Sequence, residues 1–128
     1  MTHVLPVKVY YEDTDMGGVV YYANYLKFIE RARSEIVEEL GVDQNVLKAD
    51  GYVFVVTRVV ADYLAPARLG DRLEVKTTHK ATSPLRWVFD QTVWRGDQCL
   101  FKADVTAVCM TNEGRPVRLP AELRAQLA

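Results

Sequence analysis

The sequence has few cysteines, almost no net charge and no long hydrophobic run, and each lack excludes a class of protein. The two cysteines, Cys99 and Cys109, are too few for a disulfide framework and lack the Cys-x-x-Cys spacing of zinc or redox sites. We therefore interpret them as reduced packing residues. Sixteen basic and 17 acidic residues give a net charge of −1, so no whole-molecule field would recruit nucleic acid or an anionic membrane.

The longest apolar runs, such as Val53 to Val56, are far too short to span a bilayer. The segment from Met1 to Pro6 also lacks the basic start and apolar stretch of an export signal. These absences predict a cytoplasmic protein without integral membrane association. No repeat or low-complexity linker divides the sequence, and 49% hydrophobic residues can fill a core, so residues 1–128 are predicted to form one domain.

One long helix is predicted in the first third of the chain. Apolar residues recur at helical spacing from Tyr25 to Leu40, and charged residues occupy the other side. Asn24 is interpreted as the N-cap of this helix and Gly41 as the glycine that ends it.

Most of the remaining chain is predicted to form strands. His3 to Tyr11 is predicted as the first strand, and Val53 to Leu64 has the β-branched composition of a strand covered on both faces. Later segments, from Leu73 to Thr78 and from Phe101 to Cys109, alternate apolar and polar residues as antiparallel strands do. Because no connection between these strands is long enough for a crossover helix, we predict a meander of about five strands.

A helix and an antiparallel sheet of about five strands make an α+β domain, in which the sheet curls around the helix. A single helix cannot cover such a sheet, so some apolar strand residues are expected to stay exposed in a monomer. These residues are Val55, Val59, Trp87, Phe89 and Trp94. The sequence therefore predicts at least a homodimer, and the alternative places the tryptophans in the monomer core.

A loop with three carboxylates and two glycines leads directly into the predicted helix. Its residues are Tyr10-Tyr11-Glu12-Asp13-Thr14-Asp15-Met16-Gly17-Gly18-Val19-Val20-Tyr21-Tyr22-Ala23-Asn24-Tyr25. Unpaired N–H groups in the first turn of a helix can hold a polarised carbonyl oxygen. A carboxylate upstream can reach the same carbonyl carbon, directly or through water, if glycines let the loop fold closely. A solvated turn with a capping residue has the same composition, so the pattern alone leaves both interpretations open.

A metal site is the weaker interpretation of the same carboxylates. Glu12, Asp13 and Asp15 do not supply the regularly spaced oxygen ligands of a calcium loop, and no histidine lies nearby for a transition metal. No metal is predicted.

The same segment resembles the active-site signature of the hotdog-fold acyl-CoA thioesterases. It is similar to the 4-hydroxybenzoyl-CoA thioesterases and, more closely, to the Tol-Pal-associated acyl-CoA thioesterases. The resembling segments are Tyr10 to Asp15, Gly17 to Tyr21, Ala23 to Leu26, Glu30 to Arg33, Phe54 to Val56, Asp62 to Leu69 and Pro116 to Pro120. The resemblance implies a hotdog fold whose subunits join their sheets edge to edge in a homodimer, often as a dimer of dimers that makes a homotetramer. It places two equivalent active sites at the dimer interface.

The resemblance also implies roles for particular residues. Asp15 matches the catalytic aspartate, as nucleophile or as general base on water, and the main-chain N–H of Tyr22 matches the donor to the thioester oxygen. Gly18, Val19 and Asn24 are candidate substrate-binding residues, although helix capping explains Asn24 equally well. The more similar subfamily usually has His where this chain has Tyr22. Activity tolerates this exchange if hydrolysis uses only the main-chain N–H of that residue.

Other candidates carry weaker signals. Asp13 is interpreted as a solvated carboxylate rather than an orienting one, and Tyr21 and Tyr25 as core or interface residues. His79 is interpreted as a surface or satisfied interior histidine. Four basic residues could meet the phosphates of coenzyme A, and the sequence does not choose among them: Arg58, Arg68, Lys80 and Arg86.

The predicted function is hydrolysis of acyl-CoA thioesters to free acid and coenzyme A, without a cofactor. A hydratase or dehydratase on the same fold is an alternative, but such enzymes would pair the carboxylate with a nearby His, which this motif lacks. A non-catalytic module that binds acyl-CoA or acyl-carrier protein is the other alternative.

Overall fold

The computed structural model describes residues 2–127, in which an antiparallel sheet curls around one long helix. The strands are β1 (His3–Lys8), β2 (Tyr52–Tyr63), β3 (Arg72–Ala81), β4 (Arg86–Arg95), β5 (Gln98–Thr111) and β6 (Pro116–Val117). The helices are α1 (Asn24–Glu39), α2 (Gln44–Ala49) and α3 (Ala121–Leu127), with a 3₁₀ turn at Tyr11–Asp13. This architecture confirms the predicted α+β hotdog class.

Helix α1 buries one apolar face against the sheet, as its periodicity predicted. Gly41 follows its C-terminus at φ +83° and donates its N–H to the Glu38 carbonyl at 3.0 Å, which confirms the predicted stop. The interpretation of Asn24 as the N-cap is wrong, because Ala23 occupies that position and Asn24 is the first helical residue. No helix in the described part of the chain is long and apolar enough to cross a membrane.

The sheet has the strand order β1-β3-β4-β5-β2, with β6 added beside β5. The prediction of a simple meander is wrong at β2, which pairs with β5 instead of with β3. Residues 64–71 carry the chain from β2 to β3, and both Leu64 and Ala65 donate their N–H groups to the Leu100 carbonyl, at 2.8 and 3.1 Å. Both pairings are antiparallel, so local alternation of apolar and polar residues could not distinguish them.

The core lies between α1 and the concave face of the sheet. Trp87 and Phe89 are 1% and 2% exposed, so the prediction that they leave apolar surface in a monomer is wrong. They lie on the side of β4 that faces the helix, and the alternative of a core tryptophan holds for Trp87. Trp94 follows a register shift in β4 and packs beneath the ammonium group of Lys76, 4.8 Å from the ring centroid.

Strand β2 forms a free edge of the sheet. It runs over 12 residues and pairs with β5 on one side, with a register shift at Thr57, and its exposed valines include Val56, Val59 and Val60. The predicted coverage on both faces is therefore absent from the single chain. A long apolar edge strand without a partner invites pairing with another strand.

Candidate active site

Residues 13–21 fold into a small hairpin that contains most of the predicted motif. The Asp13 carbonyl accepts the Tyr21 N–H at 2.9 Å, and the Asp15 N–H donates to the Val19 carbonyl, also at 2.9 Å. This pairing turns the chain back on itself immediately before α1. The hairpin therefore places Asp15 opposite Val19, in the segment that leads directly into α1.

Two glycines shape the tip of this hairpin. Gly18 has φ +76°, in the left-handed region that favours glycine, and its N–H donates to the Asp15 carbonyl at 3.0 Å. The Gly17 N–H donates to Oδ1 of Asp15 at 2.9 Å, and a Cβ on Gly17 would lie 3.3 Å from that oxygen. The glycines thus let the backbone hold one oxygen of the Asp15 carboxylate.

The second carboxylate oxygen of Asp15, Oδ2, accepts no hydrogen bond from residues 2–127. The Asp15 side chain is exposed in the single chain. A carboxylate with one oxygen held and the other open can attack a carbonyl carbon or take a proton from water.

The entry of α1 offers free backbone N–H groups beside this hairpin. The Tyr22 N–H donates to no acceptor within the described residues, whereas the neighbouring Tyr21 and Asn24 N–H groups are both paired. The Tyr22 carbonyl is fixed by the Tyr63 hydroxyl, which donates to it at 2.9 Å. A free donor at the positive end of a helix can stabilise negative charge on an oxygen.

Asp13 is a buried carboxylate that joins three segments, so its interpretation as solvated is wrong. It is 4% exposed, and its Oδ2 accepts the Tyr10 N–H at 2.9 Å. Its Oδ1 accepts the Asn24 side-chain amide at 3.0 Å, which explains why Asn24 does not cap the helix. A buried carboxylate persists only when hydrogen bonds replace its lost hydration. Asp13 therefore fixes the end of β1, the hairpin and the first residue of α1 relative to one another.

Aromatic residues pack behind the helix entry. Tyr25 is buried, stacks on Phe101 with 4.9 Å between ring centroids, and accepts the Ala67 N–H on its hydroxyl at 2.9 Å, which confirms its core role. Tyr63 packs edge-on against Tyr25, and no local sequence pattern predicts its hydrogen bond to Tyr22. Burial, with the neighbouring Tyr22 and Tyr25 as smaller causes, raises the pKa of Tyr63, so its hydroxyl stays a donor at neutral pH.

The second half of the hairpin docks on the connection between β2 and β3. The Leu69 N–H donates to the Gly18 carbonyl at 3.0 Å, and Val19 forms an antiparallel bridge with Arg68. Among the four predicted phosphate-binding candidates, Arg68 is therefore beside the motif. Arg58 and Lys80 lie in a surface depression that also contains two aspartates, Asp90 and Asp104.

Metal-ligand spacing occurs elsewhere in the described part of the chain. His3, Glu35 and Glu39 bring their ligand atoms within 4.8 Å of one another at the C-terminal end of α1. The carboxylates of the motif lie before the N-terminal end of the same helix.

His79 accepts the indole N–H of Trp87 at 3.1 Å, as a satisfied interior histidine would.

The chain is similar to known proteins over almost its whole length. Residues 9–127 match the model of a family described as the thioesterase-like superfamily. An acyl-CoA thioester hydrolase, YbgC, of Escherichia coli O6:H1 is 41% identical over 123 residues, which cover 94% of this chain and 92% of the relative. An acyl-CoA thioesterase YbgC of Haemophilus influenzae is also 41% identical, over 94% of this chain and 90% of its own length.

Solved structures show the same fold. A probable thioesterase from Bartonella henselae superposes with a TM-score of 0.87 at 34% identity, covering 94% of this chain and 100% of that chain. A 1,4-dihydroxy-2-naphthoyl-CoA thioesterase from Synechocystis superposes with a TM-score of 0.91 at 25% identity, covering 99% and 96% of the two chains.

Proposed function

The chain belongs to the thioesterase-like superfamily of hotdog-fold acyl-CoA thioesterases, and we propose that it hydrolyses acyl-CoA thioesters with Asp15 as its catalytic group. One observation carries this assignment: within residues 2–127 the Tyr22 N–H at the start of α1 has no acceptor, and the hairpin that precedes it leaves one Asp15 oxygen without a donor. The names of the YbgC relatives support acyl-CoA as the substrate and thioester hydrolysis as the reaction.

In the proposed reaction, the thioester carbonyl oxygen accepts a hydrogen bond from the Tyr22 N–H. The helix N-terminus then stabilises the negative charge that develops on this oxygen. The Asp15 carboxylate either attacks the carbonyl carbon, giving an anhydride that water hydrolyses, or removes a proton from an attacking water. In both routes the carbon–sulfur bond breaks, the coenzyme A thiolate leaves and the free acid is released.

Substrate contacts are proposed along the same hairpin. The Val19 N–H donates to no acceptor among residues 2–127, which leaves it available to the acyl-CoA, while the Gly18 carbonyl is already paired. The side-chain amide of Asn24 donates to Asp13, so we propose that Asn24 contributes by holding the helix entry in place. Since the chemistry needs the Tyr22 main chain alone, a tyrosine at that position is compatible with hydrolysis.

The exposed edge of β2 supports a homodimer in which two copies pair this strand. Several apolar side chains close to the motif are also exposed in the single chain, among them Met16, Tyr22 and Leu64. A second copy would cover such a surface. A dimer of dimers and a cytoplasmic location stay predictions.

Replacement of Asp15 by Asn tests the assignment. We expect the rate of thiol release from acyl-CoA to fall by about 10²-fold or more, because a positioned base or nucleophile contributes at least that much. The rate is measured with a thiol-reactive dye on a panel of acyl-CoAs. Far-ultraviolet circular dichroism of the variant should match that of the unaltered protein, because Asp15 is exposed and the fold does not depend on its charge.

Glu12→Gln is the matched control, since Glu12 is an exposed acid in the same segment and should leave turnover unchanged. Undiminished turnover by Asp15→Asn would refute the catalytic assignment. In the unaltered protein, a hydrated product without thiol release would indicate a hydratase, and acyl-CoA binding without any product would indicate a non-catalytic module.

A further inference from the structure

A cavity of about 170 Å³ lies between α1 and the start of β2, away from the Asp15 hairpin. Its apolar wall includes the aromatic side chains of Phe54, Trp87 and Phe89. Arg33 and Glu30 of α1 supply charged groups to the same lining. An apolar cavity with a few polar groups is the usual form of a small-molecule site.

The guanidinium group of Arg33 has no anionic partner in the described part of the chain. Its Nη1 donates to Oε1 of Gln91 at 3.0 Å, and no carboxylate of residues 2–127 lies within 4.0 Å of it. The carboxylate of Glu30, an exposed residue of the same cavity lining, instead accepts the Ser34 hydroxyl at 2.9 Å. Burial lowers the pKa of Arg33, and the charge of Glu30 opposes this effect.

A rigid support holds the Arg33 side chain in this position. Gln91 is fully buried, and its Nε2 donates to the Ile29 carbonyl at 2.9 Å and to the Thr77 hydroxyl at 3.0 Å. The Gln91 oxygen is thereby left to accept Arg33. This arrangement uses one of the five N–H donors of the guanidinium group, and the others have no acceptor among residues 2–127.

In the proposed dimer, the pairing of two β2 strands would bring the cavity of one copy towards the Asp15 hairpin of the other. Two β2 strands that pair antiparallel about a two-fold axis place the start of one strand beside the end of the other. The start, residues 54–56, lines the cavity, and the end, Tyr63, holds the Tyr22 carbonyl. An acyl group whose thioester lies at Tyr22 of one copy can therefore extend towards Arg33 of the other.

We propose that Arg33 binds the terminal carboxylate of the acyl group, so that the preferred substrates are coenzyme A thioesters of dicarboxylic acids. This inference rests on the proposed thioesterase function. A planar guanidinium group pairs with a carboxylate through two parallel hydrogen bonds, and the apolar wall suits the methylene groups between the two ends. A neutral acyl chain of the same length leaves the guanidinium unpaired and is discriminated against.

The test compares pairs of substrates with equal carbon number, succinyl-CoA with butyryl-CoA and glutaryl-CoA with pentanoyl-CoA. We expect kcat/KM to favour the dicarboxylic member of the best pair by about 10-fold or more, the effect of one charge-assisted hydrogen bond. Arg33→Gln should remove this preference, and Arg33→Lys should keep part of it. The ratio of two kcat/KM values does not depend on how much of a variant is folded, so a destabilised variant still gives a result.

Arg31→Gln is the matched control, because Arg31 is an exposed arginine on the same helix and the substitution removes the same charge. An unaltered protein that hydrolyses both members of each pair equally, or a preference that persists in Arg33→Gln, overturns the role of Arg33 and leaves the thioesterase assignment intact. Failure of the folded protein to release thiol from any of the four substrates overturns the thioesterase assignment and this inference with it.

Discussion

At the scale of single residues, Asp13 and Asp15 are two positions apart in the chain and have opposite environments. Asp13 is buried and accepts hydrogen bonds on both carboxylate oxygens, whereas Asp15 is exposed with one oxygen open. The hydrogen bonds of Asp13 fix the backbone around it, whereas the open oxygen of Asp15 can attack a carbonyl carbon or take a proton from water. The same residue type therefore divides into a positioning group and a proposed catalytic group according to burial alone.

Tyr63→Phe tests whether the helix entry must be held in place. Loss of the hydroxyl frees the Tyr22 carbonyl, and we expect kcat to fall by about 2- to 10-fold with KM nearly unchanged, since a neutral hydrogen bond contributes roughly 0.5–1.5 kcal/mol. Steady-state kinetics with one acyl-CoA measure both constants. Tyr52→Phe, at the opposite end of β2, is the control. A rise in KM without a change in kcat would point to substrate contact instead.

Residue roles divided sharply into those that the sequence could predict and those that it could not. Asp15 and Tyr22 were proposed because their motif resembles a known family, and their roles stay predictions. Tyr63 was missed because its partner, Tyr22, is 41 positions away, and no local pattern encodes such a contact. Asp13 had a local signal. An acidic side chain that accepts the backbone N–H of the residue three positions earlier forms half of a capping box.

At the scale of secondary-structure elements, α1 and the five long strands were predicted from periodicity, whereas strand pairing was not. The helix needs one apolar stripe, which the sequence displays directly. The neighbour of β2 depends on how residues 64–71 cross the sheet, and these residues are held by contacts with Leu100 and Tyr25 that are distant in sequence. The sequence left both an exposed and a core position open for Trp87, because alternation identifies two faces of a strand without identifying which one meets the helix.

The connection between β2 and β3 should make a pH-dependent contribution to stability through Asp71. Partial burial works to raise the pKa of Asp71, but hydrogen bonds from Arg95 and the Arg68 N–H, with the charges of both arginines, lower it overall. Because the pKa of Asp71 is lowered in the folded state, the ionised carboxylate stabilises the fold at pH values above the pKa of the unfolded chain. This stabilisation is lost as the pH falls through the folded-state pKa.

We therefore expect Asp71→Asn to lower the free energy of unfolding by about 1 kcal/mol or less at pH 7, since the pair is partly exposed. The difference from the unaltered protein should shrink as the pH falls below the pKa of the unfolded chain, about 3.9, and through the lower folded value. Urea unfolding followed by tryptophan fluorescence measures it. Asp97→Asn, an exposed acid in the β4–β5 turn, serves as the control. A difference that stays constant with pH would mean that packing, not charge, causes it.

At the scale of the whole molecule, the single chain is incomplete as a catalyst in the proposed arrangement. Its Asp15 hairpin precedes the N-terminus of α1, its Arg33 cavity lies beside residues 30–37 of that helix, and the proposed pairing of two β2 strands would bring the hairpin of one copy towards the cavity of the other. Val59 lies near the middle of the exposed edge of β2 and is 42% exposed. In the proposed dimer, a negatively charged side chain at position 59 would lie close to the same side chain of the second copy, near the two-fold axis. Two like charges there destabilise strand pairing.

We expect the unaltered protein to be the proposed dimer and Val59→Glu to be a monomer of about 14.5 kDa that no longer releases thiol from acyl-CoA. Size-exclusion chromatography with light scattering measures the mass, and the thiol assay is run on the same fractions. Val4→Glu is the matched control, because Val4 is also 42% exposed but lies on β1, at the opposite edge of the sheet. This control should remain dimeric and active. A fully active monomer of Val59→Glu would mean that the site is complete within one chain, and the Arg33 cavity would then have no route to the thioester.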